Sequence, residues 1–277
     1  MPASDTLLAA LPNTPSAGIR TMARLGFAAI GVVHLLMGVL ALLAATGLQQ
    51  GAHTDKREAV QHLQDLPGGR VLLGLMAVGL VGYIIWRFTQ AIIDTESKGS
   101  GAKGLGTRPW YVISGLFYSS LALYAGRLAL HGQAQPDGSD TSRTLTATVL
   151  SWPGGDWLVM LAGGVIIGAG LFQVYRAYSG QFQKDVNASR LPAGQQRLVY
   201  RTGQIGFTSR GIVLGLIGYF FVQAGLQSRA GAVGSTDEAF DLLATTSPAM
   251  LGVVAAGLVA FGLHMLVQAK YPVLRGI

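Results

Sequence analysis

Apolar residues gather in six runs of roughly 20, near residues 24–46, 71–93, 110–130, 156–178, 205–226 and 249–269, with polar stretches between them. At about 1.5 Å per residue, such a run crosses a hydrocarbon core of about 30 Å, so the pattern predicts six transmembrane helices. Within the second run, glycines are followed by aromatic and polar residues, and this order returns twice. A shift of 89 carries Gly79, Tyr83, Trp86 and Arg87 onto Gly168, Phe172, Tyr175 and Arg176. A shift of 178 carries Gly79, Leu80, Tyr83, Trp86 and Gln90 onto Gly257, Leu258, Phe261, His264 and Gln268.

The run before each copy also recurs. Gly26-Phe27, Gly31 and Gly38 match Gly206-Phe207, Gly211 and Gly218 at a shift of 180, and Trp110-Tyr111 with Gly115 take the corresponding places at a shift of 84. Such periods mark repeat units. The chain divides into a cytoplasmic tail (1–19), repeat one (20–94), a linker (95–107), repeat two (108–178), a second linker (179–199), and repeat three with the C-terminal tail (200–277).

Between the two runs of each repeat lies a third pattern. Asp55 and Glu58 have capping-box spacing ahead of Ala59, Val60, Leu63 and Leu66 on one helical face, and Ser235 to Glu238 precede Ala239, Phe240, Leu243 and Ala244 in the same way. The middle version, Asp140 to Trp152, is more polar and stops at Pro153-Gly154-Gly155, as the first stops at Pro67-Gly68-Gly69. The predicted fold class is therefore an all-α membrane protein. Its six transmembrane helices form three parallel repeats of transmembrane helix, amphipathic surface helix and transmembrane helix, in a pseudo-threefold arrangement. Helix contacts are expected at small-residue spacings such as Gly164 with Gly168 and Gly211 with Gly215.

Composition agrees with a membrane protein: half the residues are hydrophobic, 12% are charged, and mean hydropathy is +0.43. The net charge of +7 reflects orientation rather than nucleic-acid binding, because the basic residues sit at the ends of apolar runs. With both termini inside, fourteen Lys and Arg fall on the cytoplasmic side and six (Lys56, Arg57, Arg70, Arg127, Arg143, Arg229) on the other. The absence of cysteine excludes disulfides, thiolate metal sites and cysteine nucleophiles.

Ala23 to Phe27 with Gly31-Val32-Val33, the segment Asp55 to Leu75, and Gly79 to Gln90 with Trp86-Arg87 resemble a bacterial domain-of-unknown-function family numbered 1206. The resemblance covers about residues 20 to 272 and implies a multi-pass protein of the bacterial inner (plasma) membrane. It implies no biochemical role.

Candidate chemistry is confined to polar residues within the spans. Arg87 and Arg176 are repeat equivalents near the cytoplasmic end, and Arg210 enters to similar depth from the fifth run, with no intramembrane carboxylate expected beside them. A charge at the bilayer centre costs at least ~2.5 kcal/mol. They are read either as interfacial anchors beside Trp86 and Tyr175, or as converging on an anionic ligand with Gln90 and Gln268 as neutral donors. His34 and His264 are the candidates for a haem or metal site, although their depths differ and their repeat counterparts are unlike them. No catalytic fingerprint occurs, so no enzyme and no cofactor is expected.

Two classes follow. One is a non-enzymatic scaffold or lipid- or anion-binding accessory protein, partnered by the bilayer, by anionic lipid headgroups, or by another membrane protein. The other is a transporter or channel for a small anionic solute.

Overall fold

The computed structural model describes residues 17–47, 68–93, 102–132, 139–186 and 193–273, together with Val60 and Gln64. The regular elements are α1 (Ala17–Ala45), α2 (Gly69–Ile93), α3 (Ala102–His131), α4 (Ser139–Leu150), α5 (Gly155–Tyr178), α6 (Ala193–Leu226), α7 (Thr236–Thr246) and α8 (Pro248–Lys270). Short 3₁₀ turns at Gln181–Asp185 and Ala230–Ala232 flank α6.

Among the described residues four stretches are long and apolar enough to cross a membrane: Ala23–Ala45, Gly155–Tyr178, Gly194–Leu226 and Pro248–Lys270. This marks the chain as a membrane protein. Among the described residues of α2 the apolar stretch is Gly69–Ile85, and α3 carries Lys103, Arg108 and Arg127 along its length. Both α3 and α6 begin well before the apolar runs at 110 and 205, because their first turns are polar helix that hydropathy alone does not register.

The repeats share local geometry. Gly68 and Gly154, each ahead of the second long helix of its repeat, adopt the same left-handed conformation (φ 77° in both), which glycine reaches without strain. Ser235 accepts from the Asp237 N–H, and the Glu238 carboxylate accepts from the Ser235 N–H, which closes the predicted capping box. Ala239 and Phe240 are buried, with Leu243 and Ala244 packed against the core as the periodicity requires. The corresponding first surface helix lies outside the described residues except for Val60, which is buried, and Gln64. Arg143 of α4 pairs with Glu238 of α7 at 2.7 Å, tying the second surface helix to the third.

Packing runs in the order α3, α2, α1, α8, α6, α5. This row curls back on itself, since Arg210 of α6 reaches Tyr118 of α3. The result is a ring with one break, between α3 and α5, the two long helices of the middle repeat. Among the described residues these two share no extended contact.

The seams between repeats rest on glycine. A Cβ on Gly31 would meet the Gly262 carbonyl oxygen at 3.0 Å, and one on Gly262 would meet that of Gly31 at 2.7 Å. Gly211 and Gly170, and Gly218 and Gly163, do the same between α6 and α5. Gly164 and Gly168, the pair expected at the contact, have nothing within 4 Å and lie on the opposite face of α5. A four-residue spacing identifies a smooth stripe but not the side on which a neighbour sits.

Within the first and third repeats the hairpin closes through another glycine. A Cβ on Gly26 would stand 2.5 Å from the Tyr83 Cβ, and one on Gly206 would stand 2.5 Å from the Phe261 Cα. Under the shift of 84, Trp110 occupies that place in the middle repeat.

Candidate functional site

Tyr83 lies one helical turn before Arg87 on α2. The Arg87 Nε donates to the Tyr83 hydroxyl at 2.6 Å, and the guanidinium stands 4.8 Å from the ring centroid. Tyr83 is buried and meets Tyr118 of α3 edge to face at 5.0 Å. Arg210 Nη2 of α6 is 3.5 Å from the Tyr118 hydroxyl, and its guanidinium lies 4.9 Å over the Phe261 ring of α8. Phe261 meets Phe207 of α6 edge to face at 5.2 Å, and Arg176 of α5 lies 4.8 Å over Phe207. All three arginines are therefore half-buried and attached to one continuous aromatic network rather than pointing separately into lipid.

Their compensation differs. Arg176 forms an ion pair with Asp185, a residue that the sequence places in a cytoplasmic linker and that the 3₁₀ turn after α5 folds back. This partner comes from the linker rather than from a span, a source that the lack of intramembrane carboxylates does not exclude. For Arg210, no carboxylate pairs with it among the described residues. Its hydroxyl contact sits at the outer limit of a hydrogen bond. A desolvated cation–π contact contributes about 2 kcal/mol, against at least ~2.5 kcal/mol for a charge at mid-bilayer.

The same turn that carries Asp185 inserts Phe182, fully buried, against Tyr200, Phe207 and His264. Space for it comes from Gly203, where a Cβ would fall 2.3 Å from Phe182 and 2.9 Å from His264 Cε1. Val186 bridges to Pro272, and the Val273 N–H donates to the Asp185 carbonyl at 3.0 Å, so the segment is tied to the end of the chain. Sequence reasoning missed both residues. The available signals were a lone phenylalanine in a polar stretch and the only carboxylate between Asp156 and Asp237.

His264 is buried, with Nδ1 at 3.3 Å from the Val199 carbonyl oxygen. A carbonyl only accepts, which assigns the proton to Nδ1. Among the described residues no hydrogen-bond partner reaches Nε2. His34 is also buried, with Nδ1 at 2.8 Å from the Ile30 carbonyl oxygen and its ring packed edge-on against Phe261 at 4.7 Å. Each imidazole of the proposed haem or metal pair thus packs against phenyl rings, His34 against Phe261 and His264 against Phe182 and Phe207. Among the described residues no group of three or more His, Cys, Asp or Glu forms a metal cluster.

Of the other candidates, Gln268 is buried in α8. Tyr175 faces outward from α5 and accepts from Gln181 Nε2 at 3.4 Å, apart from the network. Trp86 and Gln90 belong to α2, and their side chains lie outside the described set.

A family model described as Domain of Unknown Function (DUF1206) matches the chain three times, over residues 25–94, 111–180 and 205–272. A protein named "Uncharacterized protein YxxB", from Bacillus subtilis (strain 168), is 30% identical over 273 residues, covering 98% of each chain. No solved structure matches.

Proposed function

The chain belongs to the DUF1206 family, and from that premise we propose that it is a non-enzymatic, multi-pass protein of the bacterial plasma membrane that binds an anionic ligand at its arginine–aromatic centre. In this reading α2 and α3 cross the bilayer with the four more apolar helices. The three repeats are related by rotation about the membrane normal, and both termini are cytoplasmic. The length of α3, 30 residues or about 45 Å, suffices for a span. Support for the rotational relation comes from the seams: Gly31 meets Leu266 and Gly115 meets Phe88, and Leu266 is the repeat equivalent of Phe88. The excess of basic residues on one side supports the orientation.

The observation that carries the ligand assignment is the contrast between Arg176, paired with Asp185, and Arg210, whose partners among the described residues are the Phe261 ring and the Tyr118 hydroxyl. Guanidinium matches phosphate or carboxylate through paired donors. Binding is favoured over passage because buried Tyr83, Tyr118, Phe207 and Phe261 fill the interior at this level. Native mass spectrometry of the purified protein in phosphatidylglycerol-containing nanodiscs tests this. Arg210→Gln is expected to lower retained anionic lipid about tenfold, equivalent to 1.4 kcal/mol. Unchanged retention, or phosphate flux into protein-loaded liposomes above that of empty ones, would overturn it.

A further inference from the structure

Repeat-equivalent positions on the three second helices have unequal surroundings. Met76 and Tyr83 in α2 are 6% and 4% exposed, and Val254 and Phe261 in α8 are 5% and 0% exposed. Their equivalents in α5, Val165 and Phe172, are 50% and 52% exposed. In the outer repeats this face is covered by the first helix of the same hairpin. In the middle repeat α3 makes no extended contact with α5 among the described residues, and Val165 and Phe172 stay exposed on the face that would seat it. Leu158, Val165 and Phe172 recur every seven residues on α5, and Arg176, one turn beyond Phe172, continues the stripe.

At the depth of Phe172, set by its equivalence to Phe261, Arg210 reaches from α6 to Tyr118 on α3, behind the place that α5 leaves open. An apolar stripe thus leads sideways from the bilayer to a guanidinium that no described carboxylate neutralises. We propose that this gap between α3 and α5 is a lateral docking site for an anionic phospholipid, with an acyl chain along Leu158, Val165 and Phe172 and the headgroup phosphate at Arg210. The proposal rests on the anion-binding reading above and adds the ligand's class and its route of entry. A soluble anion would match the guanidinium but leave the apolar stripe without purpose, whereas a lipid satisfies both.

The test uses the whole protein in nanodiscs of phosphatidylcholine with one quarter phosphatidylglycerol, read by native mass spectrometry. A second arm reads calorimetric binding of inorganic phosphate in phosphatidylcholine alone. Val165→Trp fills the seat, and Leu171→Trp makes the same change on the outward face, where Leu171 is exposed. Val165→Trp is expected to lower retained phosphatidylglycerol at least fivefold while leaving phosphate binding intact. Leu171→Trp is expected to change neither, and Arg210→Gln to lower both. Wild-type retention by Val165→Trp overturns the lateral site but leaves the anion reading standing if Arg210→Gln fails to bind. Full binding by Arg210→Gln overturns both. Should Arg210→Gln not fold, a benzophenone attached through Val165→Cys supplies the measurement. Preferential crosslinking to phosphatidylglycerol supports the site, and equal capture of both lipids contradicts it.

Discussion

The first and third repeats close their hairpins and the middle one does not, although all three carry the same order of helices. Glycine at 26 and 206 admits Tyr83 and Phe261 to backbone contact, while the middle repeat has Trp110 at the corresponding place. What holds the middle repeat is different: α5 docks on α6 through Gly163 and Gly170, and Asp185 and Phe182 pin its C-terminal end. In lipid, where apolar surface gains little by leaving its solvent, close approach at small residues decides which helices associate.

The strongest way to break this comparison is to make one substitution at two equivalent positions. Phe261→Ala removes a ring with no exposure that contacts Phe207, His34 and Arg210, and is expected to cost about 3–5 kcal/mol. Phe172→Ala, on the open face, is expected to stay within about 0.5 kcal/mol. Thermal or steric-trap unfolding in bicelles reads both, and equal costs would remove the asymmetry.

Next in size is Gly206→Leu, which forces a side chain against Phe261 backbone and is expected to cost about 3 kcal/mol. Gly164→Leu, with nothing within 4 Å, is the matched control and should be silent or slightly stabilising. Smaller again is Asp185→Asn. This pair is roughly a quarter to a third exposed, so about 1 kcal/mol is expected in the same assay. Its sharper consequence is the loss of a carboxylate charge beside Arg176, so retained anionic lipid should rise.

The smallest effect is electrostatic and lies outside the spans. Burial pushes the Glu238 carboxyl up, but hydrogen bonds from the Ser235 side chain and N–H and from its own N–H, with the Arg143 charge, outweigh this and hold it below the ordinary 4.5. Because the folded pKa is the lower one, this stability is present above pH 4.5 and is lost as pH falls through the folded value. Glu238→Gln should flatten that acid limb, with a change under about 1 kcal/mol in a melting series.

Much of the fold was legible because it is local. The repeats, the Ser235 capping box and the glycine stops at 68 and 154 follow from periodicity and turn chemistry. The seam between α5 and α6 was not, because Gly163 and Gly170 differ from Gly164 and Gly168 only in which neighbour the ring supplies. At the candidate site the arginines were legible as charges in apolar runs. Their aromatic partners Tyr83, Tyr118, Phe207 and Phe261 come from four helices, and Asp185 and Phe182 from a stretch that reads as linker. Apart from Tyr83 with Arg87, one turn apart on α2, and Arg176 with Asp185, close in the chain, these contacts are made only in the assembled bundle, so spacing along the chain carries no trace of them.

The open middle repeat is tested most directly in the cysteine-free chain by placing single cysteines at Met76→Cys, Val165→Cys and Val254→Cys and measuring their reaction with a membrane-soluble maleimide in intact vesicles. Val165→Cys should label at least tenfold faster than the other two. Equal protection at all three would show that the middle hairpin is closed, and would contradict both the opening and the lipid site built on it.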